Sequence, residues 1–159
     1  MSFYGLVDGT DASLKSYLNN LSGVDQVGAE ARAAMLATRS IKTTSKRWAI
    51  ETAITMVDLT TLEGADTPGK VKALCTKAVR PDPTDSTVPS VGAVCVYNDM
   101  VSVARTHLDL IGGQHVPVAA VSTAFPSGRA SMAVKIQDTQ DAIDAGAAEI
   151  DMVIDRGAF

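Results

Sequence analysis

The chain has 159 residues, 46% hydrophobic and 20% charged, with a formal charge of −4 and a pI near 5.0. That balance fits one globular domain with a sizeable core, and the lack of any Lys/Arg cluster speaks against nucleic-acid or membrane-surface binding. No apolar run approaches the ~20 residues needed to span a bilayer, and Cys75 and Cys95 lie outside any short zinc or redox spacing, as expected of a reduced cytoplasmic protein.

The start, MSFYGLVDGTDASLK, lacks a basic segment followed by an apolar one, so no secretory leader is predicted. Residues 1–52 read as a helical extension. Leu14, Tyr17, Leu18 and Leu21 have helical spacing. AEARAAMLATR is an Ala-rich helix, and TSKRWAIETA is a third, with Ser45 as N-cap and Trp48 as a core anchor.

From residue 53 a regular alternation begins. AITMVDLT reads as a strand. DTPGKVKALCTKAV reads as a helix, capped by Thr67 with Pro68 at its first position, and Val71, Leu74, Cys75 and Ala78 form one apolar face. RPDPTDSTVPS is a loop, and VGAVCVY is a second strand. NDMVSVARTHLDLIGG is a helix capped by Asn98 or Asp99 and stopped at Gly112-Gly113. VPVAAVST is a third strand, and FPSGRAS is a loop. MAVKIQDTQDAIDAGA is a helix stopping near Gly146, and AEIDMVI is a fourth strand.

Strands joined by helical crossovers run parallel under a helical layer, so the class is α/β. Neither a G-x-G-x-x-G fingerprint nor a P-loop follows the first strand, which disfavours a doubly wound nucleotide domain. A (β/α)8 TIM barrel remains. It needs roughly 250 residues, so residues 53–159 correspond to its first half, with about four β/α units.

Barrel chemistry sits at the C-terminal strand ends. Asp58 and Thr60 share one face of the first strand, and Cys95 lies near the end of the second. Ser122 and Thr123 end the third. Glu149 and Asp151 share one face of the fourth, opposite Ile150, Met152 and Ile154. Asp151 is expected to be buried inside the barrel, where a carboxylate needs a cationic or hydrogen-bonding partner. Lys70, Lys72, Lys77 and Lys135 fall on helices, and Lys15, Lys42 and Lys46 in the N-terminal segment, so a lysine partner has to come from a strand outside this sequence.

MVDLTTLEGADT, GAVCVY, VAAVSTAFPSG and DAGAAEIDMVIDRGA together, in order and spacing, resemble the deoxyribose-phosphate aldolase family, from about residue 46 onward. The resemblance implies a metal-independent class I aldolase of deoxyribonucleotide catabolism. It reversibly cleaves 2-deoxy-D-ribose 5-phosphate to D-glyceraldehyde 3-phosphate and acetaldehyde. A lysine Schiff base is the electron sink, a second lysine keeps the first partly neutral, and an aspartate with a bound water relays the proton. By the same resemblance, Asp151 matches the relay aspartate, Asp58 the first-strand aspartate beside the second lysine, Thr60 a pocket-lining threonine, and Cys95 a non-essential cysteine near substrate. The family often has Glu where this chain has Asp138. The Schiff-base lysine, the second lysine and the phosphate site belong to later strands, so these residues alone are expected to be inactive. The implied partners are a phosphosugar and acetaldehyde, together with a homo-oligomer or the complementary barrel half.

Blander readings stand beside these. Asp151 could be a structural ion pair and Asp58 a prop for a lysine, and Cys95 could be a small core hydrophobe. Cys75 reads as core, and His107 and His115 as solvated surface. Without clustered His, Asp or Glu, a metal site is not predicted. Ser122 and Ser127 lack a nearby base. Ser127-Gly128 opens a helix that could hold an anion. The alternatives to an aldolase are a non-catalytic half-barrel module and another phosphosugar lyase on the same fold.

Overall fold

The computed structural model describes residues 10–159, which fall into two compact units, one ending at Ile41 and the other spanning Lys42–Phe159. In the first unit, α1 (Asp11–Asn19) and α2 (Gln26–Ala37) are capped by the side chains of Thr10 and Asp25. Neither helix buries a residue, and Leu21 lies beyond the end of α1.

The second unit opens with α3 (Thr43–Thr55). Two expectations fail here. Lys42, not Ser45, occupies the N-cap position and makes no side-chain cap bond. Trp48 is not a core anchor, since it is 68% exposed. The core contact comes from Ile54. Six residues separate the two, which at 3.6 per turn puts Trp48 about 120° around the helix.

The expected strand from residue 53 is also shorter. Ala53, Ile54 and Thr55 continue α3, and β1 is only Asp58–Thr60. A short apolar run fits helix or strand equally well, and burial of Ile54 decides for helix. β1 is followed by α4 (Pro68–Val79), β2 (Ala93–Tyr97), α5 (Val101–Leu110), β3 (Val118–Ser122), α6 (Met132–Asp144) and β4 (Glu149–Met152).

Thr67 caps α4 as expected, accepting from the Lys70 N–H at 3.3 Å, and Val71, Cys75 and Ala78 are buried. α5 ends before Gly112, whose φ of +76° suits glycine. Asn98 and Asp99 do not cap α5, because a 3-10 turn over Asn98–Met100 precedes it and Met100 holds the cap position. α6 does not open at Ser127-Gly128 either: Ser131 is its N-cap, accepting from the Val134 N–H at 3.4 Å.

The four strands form one parallel sheet in the order β1-β2-β3-β4. One face carries Leu59, Val94, Val96, Val118, Ala120 and Ile150, packed with residues of α4, α5 and α6 into the main core. The opposite face holds a smaller cluster of Cys95, Ala119 and Val121, with Leu62 and Tyr97 beside it. Sequential parallel strands with every crossover helix on one side are the winding of a (β/α)8 barrel. A doubly wound sheet would reverse its strand order and cover both faces. The fold is thus α/β and part of such a barrel.

Candidate active site

The face turned away from the helices carries the polar strand residues. Side chains alternate along a strand, so Asp58 and Thr60 on β1, Cys95 on β2, and Glu149 and Asp151 on β4 all project to that side. Register aligns them: Thr60 pairs with Cys95, Cys95 with Ala119, and Ala119 with Glu149, while Val121 pairs with Asp151.

Two of the predicted residues meet directly. The Cys95 thiol donates to the Asp151 Oδ2 at 3.4 Å. Strands two apart lie roughly 9.5 Å from each other in a flat sheet, so curvature and the small Ala119 between them allow the contact. Cys95 is 3% exposed. Burial pushes its thiol up to about 12, with the hydrogen bond to Asp151 and that carboxylate's charge adding to the effect and Asp58 contributing further. The Thr60 side chain acts the other way. Cys95 is therefore a neutral thiol at physiological pH and a poor nucleophile.

Asp151 is exposed rather than buried. Glu149–Met152 forms the last strand of the sheet, paired with β3, and this face of it meets solvent. Asp58 is exposed too, and the Thr60 hydroxyl donates to its backbone carbonyl at 2.8 Å. The side chains of Asp58, Thr60, Cys95 and Asp151 thus share one face, on which Cys95 and Asp151 are in hydrogen-bond contact.

The remaining candidates separate from this group. Ser122 is buried on the helix side, where its hydroxyl donates to Asp138. His107 shares a 3.1 Å hydrogen bond with Thr76, and His115 a 3.2 Å bond with Ser90. Ser127 bonds within its own loop, accepting from the Arg129 N–H at 3.1 Å. Among the described residues no three of His, Cys, Asp or Glu gather in a way that could hold a metal ion. No described helix is long and apolar enough to cross a membrane.

Two aspartates, Asp66 and Asp138, are bound in ways the sequence reading did not foresee. Asp66 ties the loop between β1 and α4, accepting from the Thr61 hydroxyl at 3.0 Å and the Glu63 N–H at 3.1 Å, and pairing with Lys70 at 2.5 Å. The hydrogen bond from Lys70, aided by Thr61 and Glu63 against desolvation, holds the Asp66 carboxyl below the usual range.

Asp138, on α6, joins the ends of β2 and β3. The Asn98 amide donates to its carbonyl at 2.6 Å and its Oδ1 at 2.9 Å. The Ser122 hydroxyl and the Ala124 N–H donate to Oδ2 at 3.2 and 3.4 Å. Burial pushes this carboxyl up, but the bonds from Asn98, Ala124, Ser122 and Thr123 outweigh it and leave it below the usual range. Its i+4 neighbour Ala142 is buried, so helical spacing alone placed Asp138 on the inward face.

No family model matches the chain. It is 37% identical over 131 residues to deoxyribose-phosphate aldolase of Mus musculus, covering 76% of this chain and 40% of that protein. The Homo sapiens enzyme of the same name is 35% identical over 126 residues, covering 72% and 39%. The chain thus spans about 40% of the length of the curated relatives it matches. Among solved structures, a proposed deoxyribose-phosphate aldolase of Coccidioides immitis is 28% identical with a TM-score of 0.55, over 65% of this chain and 36% of that one. The tetrameric deoxyribose phosphate aldolase of Aeropyrum pernix, 22% identical with a TM-score of 0.57 over 68% and 41%, supports the fold.

Proposed function

From this kinship with the deoxyribose-phosphate aldolases, we propose that the chain supplies part of an aldolase barrel that cleaves 2-deoxy-D-ribose 5-phosphate to D-glyceraldehyde 3-phosphate and acetaldehyde. The observation that carries the reading is Asp151 on the sheet face opposite the helices, in hydrogen-bond contact with Cys95. The helices through Thr55, three residues past the boundary expected at 52, act as an extension, and the strands from β1 onward act as the first part of the barrel, in a cytoplasmic enzyme that assembles with copies of itself or with a complementary barrel half.

In this reading Asp151, through a water, gives and takes the proton at the carbon next to the substrate imine. Asp58 and Thr60 line the pocket and orient the lysine pair. Cys95 packs beside substrate as a neutral thiol and takes no covalent part in turnover. No lysine lies on a strand among the described residues, which supports an imine-forming lysine supplied from outside this sequence. An apolar groove of about 420 Å³ supports the same reading. It lies between α6 and the end of β4, lined by Met132, Ile136, Met152, Val153 and Ile154, and suits the packing of a further β/α unit.

The test is a retro-aldol assay on 2-deoxyribose 5-phosphate, following glyceraldehyde 3-phosphate. The chain alone is expected to give no turnover. Mixed with the lysine-bearing remainder of the mouse relative, it should gain activity. Turnover in neither sample, with the two pieces shown to associate, contradicts the reading.

A further inference from the structure

The end of β4 is held by a side-chain device that the strand pairing does not require. The β3–β4 ladder stops at Ser122 and Met152. Beyond it, the Thr123 hydroxyl donates to the Val153 carbonyl at 2.7 Å and accepts from the Val153 N–H at 2.8 Å. One side chain thus replaces the next backbone pair, two residues past Asp151.

Thr123 does this from a strained backbone. Thr123 and Ala124 both have φ of +64°, a left-handed region that non-glycine residues rarely adopt. Asp138 holds that turn, with its carboxylate on the Ala124 N–H and the Ser122 hydroxyl and its far side fixed by Asn98 at the end of β2. The same loop then passes so close to β4 that Gly128 lies against the Ile154 backbone. Strained turns of this kind persist where the surroundings over-determine them, and they cluster at functional sites.

We propose that Asp138 and Thr123 are positioning residues, which fix the end of β4 and so hold the Asp151 carboxylate in place against Cys95. The inference rests on the reading of Asp151 as the proton-relay group. Neither residue touches substrate. Asp138 locks the turn, the turn aims Thr123, and Thr123 sets the Val153 peptide.

The test needs no turnover. Amide hydrogen exchange at Val153 and alkylation of Cys95 by iodoacetamide are measured in the chain and in Asp138→Ala, Thr123→Val and Thr123→Ser. Cys75, wholly buried in the main core, reports loss of fold. In Asp138→Ala and Thr123→Val, Val153 should exchange on the order of tenfold faster, and Cys95 should react several-fold faster with Cys75 still protected. Thr123→Ser, which keeps the oxygen, should restore both.

Faster exchange at Ala124 with Val153 and Cys95 unchanged would mean that Asp138 orders only its own loop, and the inference falls. Should Asp138→Ala expose Cys75, the threonine pair decides: fast Val153 exchange in Thr123→Val and slow in Thr123→Ser supports the relay, and equal rates overturn it. Normal turnover of Asp151→Asn in the complemented assay would instead remove the functional reading and leave these exchange results intact.

Discussion

The Cys95 thiol and the Asp151 carboxylate, on strands separated by β3, meet at 3.4 Å across Ala119 and Val121. The pair couples a buried, hard-to-ionise thiol to an exposed carboxylate, so each reports on the other. Replacing the carboxylate with an amide removes the charge and weakens the acceptor that raise the thiol. Asp151→Asn should therefore increase Cys95 alkylation several-fold at pH 8, read by mass spectrometry, while Cys75 stays protected. An unchanged rate would show that burial alone controls Cys95.

In the complemented barrel, Asp151→Asn should keep the fold and lose turnover by about 10²-fold or more, the usual worth of a general acid–base group. Cys95→Ser should stay active. Circular dichroism checks the fold, and the coupled assay reads the rate. A dead Cys95→Ser variant with native dichroism would mean that the thiol has a role beyond packing.

The depressed carboxyls predict acid sensitivity. Asp66 and Asp138 titrate below the ordinary value of 3.8 in the fold. A depressed folded-state pKa contributes stability above the unfolded value, and that contribution is lost as pH falls through the folded one. Urea midpoints should be flat near neutrality and fall as pH drops through 3.8 and below, with a smaller fall in Asp138→Asn. An Asp138→Asn profile parallel to the parent would remove Asp138 from the set of linked groups.

Gly128 has φ of +72°, and a Cβ there would collide with the Ile154 carbonyl oxygen. Gly128→Ala should cost at least about 1 kcal/mol from the left-handed backbone alone, with more from the collision. Thermal unfolding measures it, and a variant as stable as the parent would mean that the loop relaxes freely off β4.

Leu108 is wholly buried, so Leu108→Ala should destabilise by about 2–5 kcal/mol. Trp48→Ala, at a 68% exposed position, should stay within about 0.5 kcal/mol. Urea denaturation of both variants tests where the core lies.

What the sequence made readable was the part governed by local period and capping. α4 carries its cap, its Pro and its apolar row in one stretch, and alternation along Glu149–Met152 placed Asp151 opposite Ile150. What it concealed depends on partners far along the chain. Ile54, not Trp48, meets the core because α3 rotates that way against the sheet. Asn98 looked like a helix cap and instead spends its amide on Asp138, 40 residues on. Helical spacing turns Asp138 inward, but its partners Ser122 and Ala124 lie 16 and 14 residues back along the chain, where no local pattern points to them. Asp151 was expected to be buried because a complete barrel would enclose it, and the four strands described leave that face open.

The most direct test of the central claim is an intact-mass spectrum after incubation with 2-deoxyribose 5-phosphate and borohydride, first on the chain alone and then with the lysine-bearing remainder of the relative present. A chain that contributes Asp151 but not the imine lysine predicts an unmodified 16.6 kDa species, with the reduced adduct only on the added piece. An adduct on the 16.6 kDa chain itself would put the nucleophile among its own lysines and contradict the account.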